Sequence, residues 1–264
     1  MGIAVKAGPG YALVTGASQG LGKFLARALA ARKQNLVLVA RSKDKLESVA
    51  SELRTSHGIL AEPLECDLAG PYSGQRLAQQ LHDRELPISL LVNNAGFGLR
   101  GEFWSLALER QLEMIQLHNA VVVELTFNLL PPMIKEGRGG VINVSSLAGF
   151  QPVPYAALYS ATKSFLTTFS MALREEVRRF GVTVVTVCPG RLRADPEDQE
   201  SQEERQKVPG GEQGHEEVVA ETLRKLDSGG GLVIPGRINR WTVRGQRLIS
   251  PNAVPKIVAK MSRP

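Results

Sequence analysis

The sequence predicts an α/β fold, a doubly wound parallel sheet with helices on both faces, built as a single domain. Two observations predict it. Short apolar runs of strand length alternate with stretches of helical periodicity along most of the chain. The runs are apolar at consecutive positions rather than at every second one, as strands buried on both faces require. A chain of 264 residues, 43% hydrophobic and 22% charged, is long enough to bury such a core and has the composition of a folded protein.

The elements follow in order. Residues 11–15 form an apolar run that stops at Gly16, and residues 21–31 carry Leu21, Leu25, Ala28 and Leu29 on one helical face. Residues 36–40 read as a second strand and 43–53 as a helix. Strands follow at 61–66 and 89–92. A long helix spans 109–133, ending near Pro131 and Pro132. A fifth strand covers 140–144, a helix 159–180 stops at Gly181, and a sixth strand covers 182–188. Residues 232–234 are the candidate for a seventh. The polar stretch 193–217, rich in Glu, Gln, Gly and Pro, reads as a mobile substrate loop, taken here as 191–217. The domain organisation expected is a tail at 1–10, a catalytic domain at 11–235 and a basic extension at 236–264.

Composition narrows the function classes. No apolar run approaches the ~20 residues of a spanning helix, and Met1 to Gly10 lacks a secretory pattern. Cys66 and Cys188 sit in apolar runs and read as buried free thiols, with no spacing for a metal, so a reducing, cytoplasmic setting is expected. The net charge of +6 is unevenly placed: residues 228–264 hold seven Lys and Arg and no acid. Only this tail is basic and aromatic residues make up 5% of the chain, which argues against nucleic-acid binding.

Residues 15–22, Thr-Gly-Ala-Ser-Gln-Gly-Leu-Gly, join the first strand to the first helix and place Gly16, Gly20 and Gly22 in a G-x-x-x-G-x-G pattern. A phosphate can approach backbone N–H groups at a helix N-terminus where no side chain obstructs it. Ser18, Gln19 and Leu21 complete the turn. Arg41 follows Gly22 by nineteen residues, at the end of the second strand, where an acid would bond a ribose 2′-hydroxyl and an Arg takes a 2′-phosphate. NADP(H) is therefore favoured over NAD(H); the other reading of Arg41 is a solvated helix-start residue. Asp67, ending the third strand, either bonds the adenine amino group or caps the next turn. Asn93-Asn-Ala-Gly96 ends the fourth strand with small residues, Ala95 and Gly96, that would let backbone lie against a cofactor or simply make a turn.

Tyr159 and Lys163 are four apart on a helix and share a face. A neighbouring ammonium favours the phenolate and lowers a phenol's pKa, so the pair can shuttle a proton at a carbonyl oxygen. Ser146 lies thirteen residues before Tyr159 and could bond that oxygen; Asn119 could hold a water linked to Lys163.

Taken in order, Gly16, Gly20 and Gly22, Asn93-Asn-Ala-Gly96, Asn119, Ser146, Tyr159, Lys163 and Pro189-Gly190 resemble the classical short-chain dehydrogenase/reductase family over roughly residues 11–190. The resemblance implies a Rossmann-type sheet and an Asn119–Ser146–Tyr159–Lys163 tetrad, with Tyr159 as acid/base and Lys163 also holding the nicotinamide ribose. It selects Ser146 over Ser145 by its spacing to Tyr159. It also implies a small-molecule carbonyl or alcohol substrate and a homodimer or homotetramer with the Asn119 and Tyr159 helices at the interface. Three positions depart from the family pattern. No Thr follows Pro189-Gly190, where one usually contacts the nicotinamide carboxamide. Gln19 replaces a basic residue common in NADP users, and His118 stands where an apolar residue is usual and reads as a packed side chain.

Phe97, Leu99, Phe150, Val153 and Pro154 would make the substrate pocket apolar. The altered stretch after Gly190 leaves an alternative, a dinucleotide-binding regulatory or scaffold protein with little catalysis. Arg237, Arg240, Arg244 and Arg247 fall on one helical face, so the tail either packs on its own domain or lies on an anionic membrane surface.

Overall fold

Among the described residues, seven strands pair in parallel: Tyr11–Thr15 (β1), Asn35–Ala40 (β2), Ala61–Glu65 (β3), Ile88–Asn93 (β4), Gly139–Val144 (β5), Val182–Val187 (β6) and Gly231–Val233 (β7). Their order is β3-β2-β1-β4-β5-β6-β7, the Rossmann-type doubly wound arrangement expected from the sequence. The structure is a computed structural model and describes residues 10–193, 212–246, 249–250 and 252–262. Its helices are Gly20–Ala31 (α1), Lys43–His57 (α2), Ser73–Asp83 (α3), Leu108–Ile115 (α4), Val121–Lys135 (α5), Ala157–Val177 (α6), His215–Asp227 (α7), Arg237–Gln246 (α8) and Val254–Ser262 (α9).

Consecutive apolar residues in a strand serve opposite faces of the sheet. Ala12 and Val14 enter the core under α1, α2 and α7, with Leu25, Leu46 and Val218. Leu13 between them enters the other core, under α3, α5 and α6, with Leu77, Leu125 and Leu173. Each expected strand is present, the seventh included, with ends shifted by a residue or two. Pro63 is accommodated in β3 because that strand is the sheet edge.

Three segments differ from expectation. The long helix is divided: one π turn, Gln116–Ala120, separates α4 from α5. It also runs two residues past its expected end, to Lys135, with both prolines inside it as Met133 is buried against the sheet. Helix α3 was not expected from the sequence; its Leu77 and Leu81 make a narrow apolar face that becomes a helix stripe only against α5. Helix α7 begins at His215, inside the stretch expected to be loop, while residues 194–211 of that stretch lie outside the described residues.

Strand order reverses between β1 and β4, and the carboxyl ends of these two strands are tied together. Thr15 Oγ1 donates to Val92 O (3.2 Å) and accepts from the N–H groups of Asn94 and Ala95 (3.0 Å each). The Asn94 amide donates to Thr15 O (2.9 Å) and Gly16 O (3.2 Å). Ligands of open α/β sheets bind at such a switch point.

Candidate active site

A cleft of about 1410 Å³ opens along the carboxyl edge of the sheet. Its wall takes in Gly16, Ser18, Gln19, Gly20 and Leu21 from the glycine turn, Arg41 from the end of β2, and Asp67 from the end of β3. Ala95 and Gly96 follow β4, Ser146 follows β5, Tyr159 and Lys163 come from α6, and Pro189 and Gly190 follow β6. The volume exceeds the ~300–1,000 Å³ of common small-molecule sites and suits a dinucleotide with a second molecule beside it.

Gly22, Asn93 and Asn119 were expected at the site and lie behind this wall. A Cβ on Gly22 would stand 2.1 Å from Gly16 O, so this glycine permits the turn to fold onto α1. Asn93 is buried and donates to Asn143 Oδ1 (2.8 Å); its neighbour Asn94 is the residue that reaches the cleft. Asn119, in the π turn, donates to Thr162 O (3.1 Å) and pins that turn to α6.

The glycine turn fits a diphosphate. Helix α1 has no acid in its first turn, and Gln19 gives it no side-chain cap. The Cβ position of Gly20 meets nothing within 4 Å. At the far end, Arg41 and Lys45 both line the cleft, and Lys45 Nζ donates to Gln19 Oε1 (3.2 Å). A cation from α2 thus stands over the turn at the point where Gln19 lacks one. Asp67 shows both features weighed for it: Oδ1 accepts from Ala69 N (3.0 Å), and the side chain lies on the cleft wall.

Deeper in, Tyr159 and Ser146 share the cleft wall. Ser146 Oγ accepts from Ala148 N (3.2 Å). Ser145 is turned inward, donating to Lys163 O (2.8 Å) and meeting Thr167 Oγ1 (2.8 Å). Lys163 Nζ donates to Val144 O (3.0 Å) and lies 5.8 Å from the centre of the Tyr159 ring. Burial lowers Lys163 to about 8. Burial also raises the Tyr159 phenol above its ordinary value of 10, with the Ser146 hydroxyl opposing it. The expectation that Lys163 lowers this phenol is therefore corrected: desolvation of the phenolate dominates, and the opposing pull comes from the Ser146 hydroxyl rather than from Lys163. Burial pushes the Cys188 thiol up to about 11, leaving it protonated and inert beside Thr167.

Of the five residues expected to make the substrate side apolar, only Phe97 and Val153 line the cleft. Leu99 lies in a separate small cavity with Tyr155, and Phe150 and Pro154 are elsewhere. The apolar lining comes instead from Leu117, Leu147 and Ala148, and from Val243, Val254, Ile257 and Val258 on α8 and α9. The last four come from the C-terminal segment, whose contribution is not legible from motif spacing. Arg100, Arg110, Arg191 and Arg193 also reach the cleft. In place of a Thr after Gly190, Gln213 organises the chain: its Oε1 accepts from Gly190 N (2.9 Å), and its backbone bonds Arg191 and Arg193.

A profile of the short chain dehydrogenase family matches residues 10–205. A ketoacyl reductase of Nostoc sp. is 36% identical over 178 residues, covering 67% of this chain and 62% of that protein. The human very-long-chain 3-oxoacyl-CoA reductase is 36% identical over 189 residues, 69% of this chain and 60% of that protein. The chain thus spans about three fifths of the length of these relatives. A solved short-chain dehydrogenase from Sphingobium yanoikuyae, in complex with NADPH, superimposes with a TM-score of 0.80 at 30% identity, covering 90% of this chain and 94% of that one. The family profile covers most of the chain and the sheet order agrees with it, so the chain belongs to the classical short-chain dehydrogenase/reductase family.

Proposed function

We propose that the chain is an NADP(H)-dependent oxidoreductase acting on a carbonyl or alcohol carbon of a small molecule with a largely apolar body. The observation that carries this reading is that Ser146, Tyr159 and Lys163 line the same cleft as the glycine turn. When bound, the nicotinamide supplies or accepts the hydride. The turn 16–22 would hold the diphosphate, with Gly22 shaping it from behind. Arg41 and Lys45 would meet the 2′-phosphate, and Asp67 the adenine. Backbone at Ala95, Gly96, Pro189 and Gly190 would flank the nicotinamide half, with Asn93 holding its strand in place.

In the reductive direction, the Tyr159 phenol delivers its proton to the carbonyl oxygen. Burial keeps that phenol protonated until substrate arrives. Ser146 Oγ bonds the same oxygen, and the Lys163 ammonium stabilises the charge left on Tyr159 and holds the nicotinamide ribose. Asn119, expected to hold a water linked to Lys163, instead fixes the π turn against α6 from behind the cleft wall. The apolar side chains of α8 and α9 favour a lipophilic ketone. The names of the two relatives bring 3-oxoacyl thioesters into the candidate panel.

Fluorescence titration with NADPH and NADH, wild type beside Arg41→Ala, tests the cofactor; a carbonyl panel with Tyr159→Phe tests the chemistry. NADPH is expected to bind more tightly, with the preference reduced at least about tenfold in Arg41→Ala and turnover at least about 100-fold lower in Tyr159→Phe. Equal affinities would remove the NADP(H) assignment. A preference for polar sugars would remove the lipophilic substrate. Cofactor binding with no turnover of any panel member would favour a binding or scaffold role.

A second reading concerns location: α8 contacts an anionic membrane surface. Trp241 (68% exposed) and Ile238 (64%) stand on its outer face beside Arg237 and Arg244, while Asn239 and Val243 face inward. Arg247, expected on the same face, lies outside the described residues, which contain no helix long and apolar enough to cross a membrane. Flotation with phosphatidylglycerol vesicles is expected to carry the full chain and not residues 1–235; equal behaviour of the two would end this reading.

A further inference from the structure

His118 is 1% exposed, sits in the π turn and takes no part in the chemistry proposed above. Both its ring nitrogens are engaged. Nε2 accepts from the backbone N–H of Phe97 (3.2 Å). A backbone N–H can only donate, so Nε2 carries no proton, and the neutral ring must carry its proton on Nδ1. Nδ1–H therefore donates to Thr162 Oγ1 (2.9 Å), whose hydroxyl donates on to Tyr159 O (2.9 Å). The relay runs from the backbone of the Tyr159 turn, through Thr162 and the imidazole, to the first residue after Gly96.

The ring is also clamped. It meets the Tyr159 ring edge-on with centres 5.8 Å apart, and the Phe97 ring at 6.1 Å. A Cβ on Gly96 would stand 2.6 Å from Nε2, so the imidazole and the Gly96 backbone are in contact. Phe97 in turn carries the Arg110 guanidinium 4.4 Å above its ring. Burial, with a smaller contribution from Lys163, holds His118 well below its ordinary value of 6.5, so the ring is in the neutral form that this bonding requires. With both nitrogens committed to protein atoms, it has none to offer a substrate.

We propose that His118 is a positioning residue: it locks the Gly96–Phe97 turn onto helix α6 and so sets the substrate-side wall of the cleft relative to the Tyr159 phenol. The kinetic part of this rests on the oxidoreductase reading; the structural part does not. An apolar residue of similar size could fill the space, but it would leave the Phe97 N–H without its acceptor and Thr162 without its donor, and the turn free to shift. A small displacement of that wall misaligns the carbonyl while leaving the cofactor held elsewhere.

Two variants separate bonding from packing. His118→Leu keeps bulk and loses both bonds, whereas His118→Gln places an acceptor oxygen where Nε2 stood. Amide hydrogen exchange of residues 96–98 needs no substrate. His118→Leu is expected to exchange there at least about tenfold faster than wild type, and His118→Gln to stay within about threefold of it, at matched thermal stability. In steady-state kinetics with NADPH and the best ketone of the panel, His118→Leu is expected to raise KM about tenfold with kcat changed less than about threefold, and His118→Gln to restore most of the loss. Unchanged exchange and kinetics in His118→Leu would overturn the proposal. So would a His118→Gln protein that is equally stable and no better than His118→Leu, since packing alone would then explain the residue. If wild type turns nothing over, the oxidoreductase reading fails while the exchange result still decides the lock.

Discussion

Lys163 is a charge that the fold holds against its own preference. Burial lowers it from 10.5 to about 8, so the folded chain releases a proton in a range where the unfolded chain keeps it. Stability therefore rises with pH through that window. Below about 8 both states are protonated, and the buried ammonium costs the folded state about 3 kcal/mol relative to a fully solvated one. Tyr159 and Cys188 are shifted upward and act in the opposite sense, but they are present in both proteins of a comparison. Urea unfolding of wild type and Lys163→Met should show their difference moving in favour of wild type by about 3 kcal/mol between about pH 7 and about pH 10.5. A difference independent of pH would mean that Lys163 is not desolvated as described. At this scale the i, i+4 rule put Tyr159 and Lys163 together on the cleft, because such residues share a face whatever surrounds them, while Ser146 came from the family resemblance. They placed Asn93 where Asn94 stands and gave His118 no partners, since both depend on contacts between strands and helices far apart in sequence.

At the level of elements, the first strand, glycine turn and α1 behave as one unit with the end of β4. Two glycines in it are required for different reasons. Gly20 has a positive φ of 53° and open space around it, so a side chain there meets backbone strain alone. Gly22 faces Gly16 O at a distance no Cβ tolerates, and neither is a flexible side chain that could move aside. Gly22→Ala is expected to cost roughly 3 kcal/mol and to weaken NADPH binding, whereas Gly20→Ala costs about 1–2 kcal/mol. Denaturant titration of the two variants checks this, and an equal loss at both sites would refute the close-approach argument. The strands were legible because residues buried on both faces leave an unbroken apolar run. Helix α3 was not, because Ser73–Asp83 carries so little apolar surface that only α5 reveals which side is inside. The prolines of α5 misled for a related reason: local chemistry marks a stop, and packing of Met133 overrides it.

For the molecule as a whole, α4, α5 and α6 leave apolar surface uncovered. Leu108, Leu112, Val123 and Phe127 on the first two, and Phe165 and Met171 on the third, are all exposed, Phe127 at 77%. A folded chain this size rarely leaves so many large side chains on neighbouring helices without a partner. We propose a homo-oligomer closed through this face. Light scattering should give at least a dimer for wild type and a smaller species for Phe127→Glu with cofactor affinity retained. A monomeric wild type would leave the face unexplained and the expected assembly wrong.

Sequence by itself determined the class of fold and the family and put Tyr159 and Lys163 on one helix face, because these follow from local periodicity, from spacing along one element and from the order of motifs along the chain. Only the tertiary structure decided what completes the site. Lys45 reaches over the turn to Gln19, and His118 bonds across to Phe97. Helices α8 and α9 wall the cleft from the far end of the chain. These pairings join residues that no period or spacing links, and their geometry is set by how layers pack on a sheet rather than by any one stretch of chain.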